Sequence, residues 1–162
     1  MARPNPIRRL MSEPLPPKTA QRRLPYRPKL EEVEYTYQIL NKYVFDNALK
    51  KPPIRQGILQ NAWGICCGLE HPKEGYRSYC EIKISDKWYC VQWMISTLAH
   101  EMCHQYQWDI YGPERAEMGK DWLMSHGPTF LEHRDRLQEY GIPLKVSFSR
   151  RRWFAYQDLF SS

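Results

Sequence analysis

The segment from Val91 to Trp108 has the most regular apolar periodicity in the chain. Its apolar residues recur every three or four positions, which is the spacing of one face of an α-helix. Ser85 or Asp86 can cap the start of this helix. A long amphipathic helix is stable only when its apolar face is buried, so the pattern predicts a packed domain around it. The apolar stripe consists of Val91, Met94, Ile95, Leu98, Met102 and Tyr106.

One further helix is predicted on each side of this segment. Helical spacing of apolar residues runs from Leu30 to Leu49 and ends before Pro52 and Pro53, where a helix cannot easily continue. The last helix is predicted to begin at Gly127-Pro128 and to end at Tyr140-Gly141, with proline in the first turn and glycine as the C-cap. Its residues Phe130, Leu131 and Leu137 are expected to point into the core.

Three short segments between the first and second helices have the pattern of strands. They are Ile54 to Leu59, Ala62 to Leu69 and Tyr79 to Ile84, the last of which alternates polar and apolar residues. The chain order favours an antiparallel meander with one buried face. We therefore predict an α+β fold: an N-terminal helix, a three-stranded antiparallel sheet, the long helix and a C-terminal helix.

The positive charge lies at the two ends of the chain. The protein has 162 residues and a formal net charge of +6, but residues 1–29 carry +7, residues 145–162 carry +3 and residues 30–144 carry −4. Residues 1–29 also hold seven of the 13 prolines, which favours an extended, polyproline-like chain. We expect a flexible basic arm over 1–29 and a basic, aromatic tail over 145–162. Either end could contact DNA, although the arm could equally be a solubilising or partner-docking segment.

Cysteine usage and hydropathy predict an intracellular location. The five cysteines include no C-x-x-C pair, and only Cys66 and Cys67 are close in sequence, so reduced thiols are expected. Packing in a strand is the expected role of Cys66 and Cys67. No window approaches the roughly 18 consecutive apolar residues of a membrane span. We expect a protein of the cytoplasm, or one associated with the nucleoid or nucleus, without a membrane partner.

The long helix contains His100-Glu101-Met102-Cys103-His104, an H-E-x-x-H motif. Residues four apart lie on one helix face with a rise of about 6 Å, so the imidazoles of His100 and His104 can bind one metal ion. Glu101 lies about 100° around the helix, from where it can reach a water molecule without being a ligand. Met102 and Cys103 point back towards the core. The motif in this helix indicates a zinc site.

A catalytic zinc site needs a third protein ligand and an open position. His126 is the main candidate, because Gly127 and the first-turn Pro128 would fix its direction at the start of the last helix. Glu114, Glu117 and Asp121 are alternatives. His133 and His71 are expected to be exposed to solvent. A metzincin would have Gly and His where this chain has Gln107 and Ile110, so that continuation is absent.

Four segments of the sequence resemble the SprT-like metalloproteases, the family that includes Spartan, the DNA–protein crosslink protease. The resemblance covers roughly residues 33 to 140. Thr97–His104 is similar to the T-L-x-H-E-M-x-H core of the family, and His126–Phe130 is similar to its H-G-P-x-F segment. Ala62–Cys66 and Cys80–Ser85 are similar to two of its strands.

The resemblance implies a small zincin-like domain over residues 30–144. It implies zinc bound by His100, His104 and His126, with Glu101 as general base in the hydrolysis of peptide bonds, on protein substrates associated with DNA. The alternative is a module without catalytic activity, in which zinc only braces the fold and the basic ends bind nucleic acid or a larger assembly. An open metal position would favour the protease, and a fourth protein ligand would favour the module.

Overall fold

The computed structural model of the protein describes residues 3–69, 75, 78, 80–112 and 126–146. These residues form short and long helices around a three-stranded sheet, so the predicted α+β class is confirmed. The helices are α1 Pro6–Met11, α2 Lys18–Gln21, α3 Leu30–Tyr43, α4 Val91–Tyr106, α5 Pro128–Leu131 and α6 Arg134–Glu139, and a π-helical turn, Gln107–Tyr111, directly follows α4. The strands are β1 Ile54–Gly57, β2 Gly64–Gly68 and β3 Cys80–Ser85.

Helix α4 is the centre of the domain. All of its 16 residues except His104 and Tyr106 are buried, including the predicted stripe from Val91 to Met102. The sheet packs on α4 through β2 and β3, while α1, α3 and α5 contact other parts of the same helix. A helix covered on nearly every side needs apolar residues beyond a single stripe, and Trp93, Ala99 and Cys103 supply them at 0 % exposure.

Helix α3 ends at Tyr43, six residues before the predicted end. Asp46 and Asn47 both have left-handed backbone angles, with φ of 53° and 58°, which a continuing α-helix does not allow. The Asn41 side chain donates to the Leu49 carbonyl at 2.9 Å and accepts from the Leu49 N–H at 3.1 Å. Leu49 still reaches the core, so its apolar character reflects burial in a loop.

The prediction of an antiparallel sheet is wrong, because the sheet is mixed. The strand order is β1-β3-β2, with β1 parallel to β3 and β2 antiparallel to β3. Strand β3 occupies the centre, with a partner on each edge and contacts to α4, and nearly all its residues are therefore buried: Cys80, Glu81, Ile82, Ile84 and Ser85. Alternation along a strand indicates which face is buried but does not identify its neighbours.

Residues 3–29 differ from the expected extended arm. They form α1 and α2, and the backbone of Tyr26 pairs with that of Trp88. Asn5 caps α1 by accepting from the backbone N–H of Ile7 at 2.9 Å. Ile7 and Met11 belong to the main hydrophobic core. Burial of these two apolar residues explains why a proline-rich segment lies against the domain.

The predicted C-terminal helix is divided into α5 and α6. Pro128 opens α5 and Gly141 follows α6 with φ of 79°, as the sequence predicted for both ends. Phe130 and Leu137 are fully buried, whereas Leu131 is only partly buried. Beyond α6, Ile142 and Leu144 return to the core and bring Lys145 close to α4. The rest of the predicted basic tail, residues 147–162, lies outside the described residues.

Among the helices that the structure describes, none is both long and apolar enough to cross a bilayer.

Candidate metal centre

His100, His104 and His126 meet at one point between α4 and α5. His126 Nε2 lies 3.2 Å from His100 Nε2 and 3.3 Å from His104 Nε2. The two α4 residues are one turn apart, and His126 reaches them because Gly127 and Pro128 start α5 directly beside α4. His100 is buried and the other two are partly buried. The three candidate ligands predicted from the sequence are therefore brought together.

The spacing of these nitrogens fits a tetrahedral zinc ion. Two imidazole nitrogens, each 2.0–2.1 Å from zinc in tetrahedral geometry, lie about 3.3 Å from each other. The distances that His126 Nε2 makes to its two neighbours match this value. Imidazole nitrogens are also ligands that zinc prefers. By spacing and by chemistry, these residues could hold zinc.

The tautomers of two histidines suit metal binding. The Nδ1–H of His100 donates to the backbone carbonyl of Lys145 at 2.6 Å. The Nδ1–H of His104 donates to Oε1 of Gln107 at 2.8 Å. Since a neutral imidazole carries one proton, both Nε2 atoms are unprotonated and can donate a lone pair to a metal ion.

The surroundings keep the three imidazoles neutral. The pKa of His100 is lowered to about 3, chiefly by burial and then by the neighbouring His104, against the raising effect of the Lys145 carbonyl. Burial also lowers the pKa of His104 and of His126. Only a neutral imidazole can donate its lone pair to a metal, so the site is in the ligand form near neutral pH.

Phe130 supports the three rings from one side. Its ring centre lies 4.8 Å from those of His100 and His104 and 4.7 Å from that of His126. Phe130 is fully buried and follows His126 by four residues, in the first turn of α5. The sequence predicted that Phe130 would point inward, but not that it would contact all three imidazoles.

Glu101 lies beside the cluster and not within it. Its Oε1 is 3.9 Å from His100 Nε2, and the backbone N–H of Cys66 in β2 donates to its carboxylate. Burial raises the pKa of Glu101 to about 8, against the lowering effect of this N–H. A carboxyl group with a raised pKa beside a metal site is suited to accept and release a proton near neutral pH.

Gly64 allows β2 to approach Glu101 closely. A Cβ atom at this position would lie 3.0 Å from Thr97 Cγ2 and 3.1 Å from Glu101 Cγ, both on α4. These separations are shorter than ordinary carbon contacts, so any larger residue would push the carboxylate or the strand. The close packing of β2 on α4 depends on a glycine here.

The other candidate ligands lie outside the cluster or outside the described residues. Glu114, Glu117 and Asp121, like His71, lie outside the described residues. Cys66 and Cys67 lie in β2, in agreement with the predicted strand, and Cys66 packs against the core. The prediction that His133 is exposed is wrong: only 12 % of its side chain is exposed, because its ring packs against those of Phe45 and Tyr106.

The hydrogen-bond acceptors of the two α4 histidines were not predicted from the sequence. Lys145 acts through its backbone carbonyl, which no side-chain motif can reveal. Gln107 could have been found, because a residue three positions after His104 shares its helix face. A glutamine is common on exposed helix faces, however, and only the folded chain shows that this one is buried, at 1 % exposure.

Comparison with known sequences agrees with the resemblance. The model of the SprT-like family matches residues 33–148, which include all of the cluster, Glu101 and both acceptor residues. No curated protein matches the chain.

Proposed function

Because the chain belongs to the SprT-like family, we propose that it is a zinc-dependent endopeptidase acting on proteins associated with DNA. His100, His104 and His126 would hold the zinc ion, and Glu101 would be the general base. The observation that carries the proposal is the convergence of three Nε2 atoms with a buried carboxylate only 3.9 Å from one of them.

Glu101 would move the proton in this reaction. Zinc, when bound, supplies a Lewis acid that polarises the scissile carbonyl and lowers the pKa of a water molecule towards 7. The Glu101 carboxylate accepts the proton of the attacking water and then donates it to the leaving amine, so the residue ends each turnover as it began. Its position favours this role, since Oε1 lies 3.9 Å from His100 Nε2 and the backbone N–H of Cys66 orients the carboxylate.

The free edge of β2 suits an extended peptide substrate. Within the described residues β2 pairs with β3 alone, and Cys66 directs its backbone N–H to Glu101. An extended chain can add to such an edge through backbone hydrogen bonds, which are independent of side-chain identity. Exposed Ile65 offers an apolar contact in the same strand. This supports cleavage of unfolded or extended protein segments.

The basic N-terminal segment supports an association with DNA. All eight Arg and Lys side chains between residues 3 and 29 are exposed, although the segment itself packs on the domain. Positive charge on a protein surface can neutralise DNA phosphates and raise the rate at which the protein encounters DNA. The second basic segment, with Arg150, Arg151 and Arg152 before Trp153 and Phe154, lies outside the described residues and would add stacking to backbone contact.

The proposed catalysis is tested by separating zinc binding from proteolysis. We expect His126→Ala to lose both zinc and cleavage of an unfolded test protein, and Glu101→Gln to keep zinc but to lose about 10²-fold or more in rate. Glu139→Gln on α6 is the matched control for Glu101→Gln, because it makes the same substitution at an exposed position. Full proteolysis by zinc-loaded Glu101→Gln would refute the assignment of the general base.

The proposed DNA association is tested by neutralising charge while keeping the fold. The Arg9→Gln, Arg23→Gln double variant should bind DNA more weakly. The slope of the logarithm of its DNA-binding constant against the logarithm of salt concentration should decrease in magnitude by about one for each phosphate that is no longer neutralised. The Lys42→Gln, Lys50→Gln double variant removes equal charge from another exposed part of the chain. Equal weakening of DNA binding by both would refute a specific role for the N-terminal segment.

A further inference from the structure

The side chain of Gln107 joins the two elements that carry the candidate ligands. Its Oε1 accepts from the Nδ1–H of His104 at 2.8 Å, and its Nε2 donates to Oγ1 of Thr129 at 2.9 Å. Thr129 lies in α5, three residues after His126. One amide therefore links a ring on α4 to the segment that positions His126.

The backbone of Gln107 lies in a hydrogen-bonded turn, and its side chain is buried. Gln107 is the first residue of the π-helical turn, and its carbonyl accepts from the N–H of Gly112 at 3.2 Å. Both Gln107 and Thr129 are buried, at 1 % and 6 % exposure, so water does not compete strongly for their hydrogen bonds. Burying a flexible polar side chain costs free energy unless it finds partners, and here the partners include the candidate ligand His104.

Comparison with Gln105 shows that this arrangement is particular to Gln107. Gln105 is also buried, two residues earlier in the chain. Its side chain accepts from the Tyr37 hydroxyl and donates to the Lys50 carbonyl and to Asp109. These partners belong to α3, its following loop and the π-helical turn. Gln105 thus joins structural elements, whereas Gln107 contacts a candidate ligand directly.

We propose that Gln107 is a positioning residue of the metal centre, which holds His104 in its metal-binding tautomer and ties it to the segment that carries His126. The inference rests on the proposed zinc site but not on the proposed proteolysis. Residues that accept from a ligating histidine fix its orientation and raise its basicity, and their loss commonly weakens metal binding about 10- to 100-fold.

The test measures the zinc dissociation constant by competition with a chromophoric chelator, together with the thermal stability of the metal-free protein. Gln107→Leu should weaken zinc binding about 10- to 100-fold. Gln107→Glu should bind zinc at least as tightly as the wild type, because a carboxylate can only accept from the Nδ1–H of His104. Gln105→Leu is the matched control: it should lower thermal stability without changing the zinc dissociation constant more than about twofold.

Thr129→Val tests the link to α5. Alone, it should weaken zinc binding less than Gln107→Leu does. In the Gln107→Leu background it should cause no further loss of zinc affinity, because the effects of substitutions in one hydrogen-bond chain are not additive.

Three results would overturn the inference: unchanged zinc affinity in Gln107→Leu, equal weakening by Gln105→Leu, or equal weakening by Gln107→Glu and Gln107→Leu. A wild-type protein that binds no zinc would refute this inference and the proposed enzyme together. Zinc binding without proteolysis would refute the protease alone, and the affinity ratios would still decide the role of Gln107.

Discussion

Burial of Glu101 disfavours the ionised form that a general base needs. The carboxyl group has to be near the cluster to transfer a proton, yet it is only 6 % exposed and has one backbone N–H directed at it. Desolvation therefore favours its protonated form in the absence of metal. A bound cation would favour the carboxylate, so zinc and the charge of Glu101 should stabilise each other.

This burial predicts the pH dependence of the metal-free protein. The pKa of Glu101 is raised from 4.5 to about 8, so between these values the folded state holds a proton that the unfolded state releases. The contribution of Glu101 to stability is therefore present below pH 4.5 and is lost as pH rises through 8. Metal-free Glu101→Gln, which stays neutral, should exceed the wild type in stability at about pH 9 by on the order of 2–4 kcal/mol and match it near pH 5. Denaturant unfolding at both pH values measures this, and parallel pH curves for the two proteins would contradict it.

Gly64 gives a second prediction at the scale of one residue. Gly64→Ala places a methyl group about 3 Å from Thr97 and Glu101, so either the strand or the carboxylate must move. We expect a loss of about 1–3 kcal/mol of stability and a larger fall in proteolysis than in zinc content. Gly57→Ala in β1, which meets no atom within 4 Å, is the control and should be nearly neutral. Full proteolysis by Gly64→Ala would show that Glu101 tolerates the displacement.

At the scale of elements, helix α1 connects the basic surface to the core. Ile7 is fully buried against the rest of the domain, while Arg8 and Arg9 beside it are exposed. The guanidinium of Arg8 lies 5.4 Å from the centre of the Tyr140 ring, next to the end of α6. The segment that carries much of the charge is thus also part of the fold, and deleting residues 1–29 would remove both.

The apolar anchor of α1 can be tested separately from its charge. Ile7→Ala should reduce the free energy of unfolding by about 2–4 kcal/mol, because it leaves a cavity in the core. Arg9→Ala in the same helix should change it by less than about 0.5 kcal/mol. Chemical denaturation of the two variants measures the difference. A negligible effect of Ile7→Ala would show that α1 is not held to the domain in solution.

At the scale of the whole molecule, the candidate metal centre joins distant parts of the chain. His100 and His104 come from α4, His126 from the start of α5, and the Lys145 carbonyl from the segment after α6. A metal that binds the folded state alone stabilises all of these contacts together. Folding and metal binding should therefore be coupled.

Zinc should raise thermal stability in a pH-dependent way. With free zinc at about 100 times the dissociation constant, we expect the free energy of unfolding to rise by about 2.7 kcal/mol, which corresponds to an increase of about 5–10 °C in Tm. His100, His104 and His126 have pKa values lowered by burial, so the unfolded state binds more protons as pH falls below 6.5. The metal-free protein should lose stability there, and zinc should bind less tightly as protons compete for the imidazoles.

Differential scanning calorimetry of the wild type and of His126→Ala, with zinc and with a chelator, measures this coupling. The variant should show no zinc-dependent shift. An equal shift in both proteins would place the stabilising metal elsewhere.

Sequence patterns predicted the local structure of the site. Val91 to Tyr106 had the apolar periodicity of a helix, and residues four apart on it share a face, so His100 and His104 followed from spacing. Gly127-Pro128 favoured the start of another helix and made His126 the main candidate for the third ligand. Ile7, Gln107 and the Lys145 carbonyl were decided by tertiary structure, as was the parallel pairing of β1 with β3. Periodicity indicates which face of a helix or strand is buried, because that depends on backbone geometry. It does not indicate which segment packs on that face, because contacts between distant segments depend on how all the buried surfaces fit together.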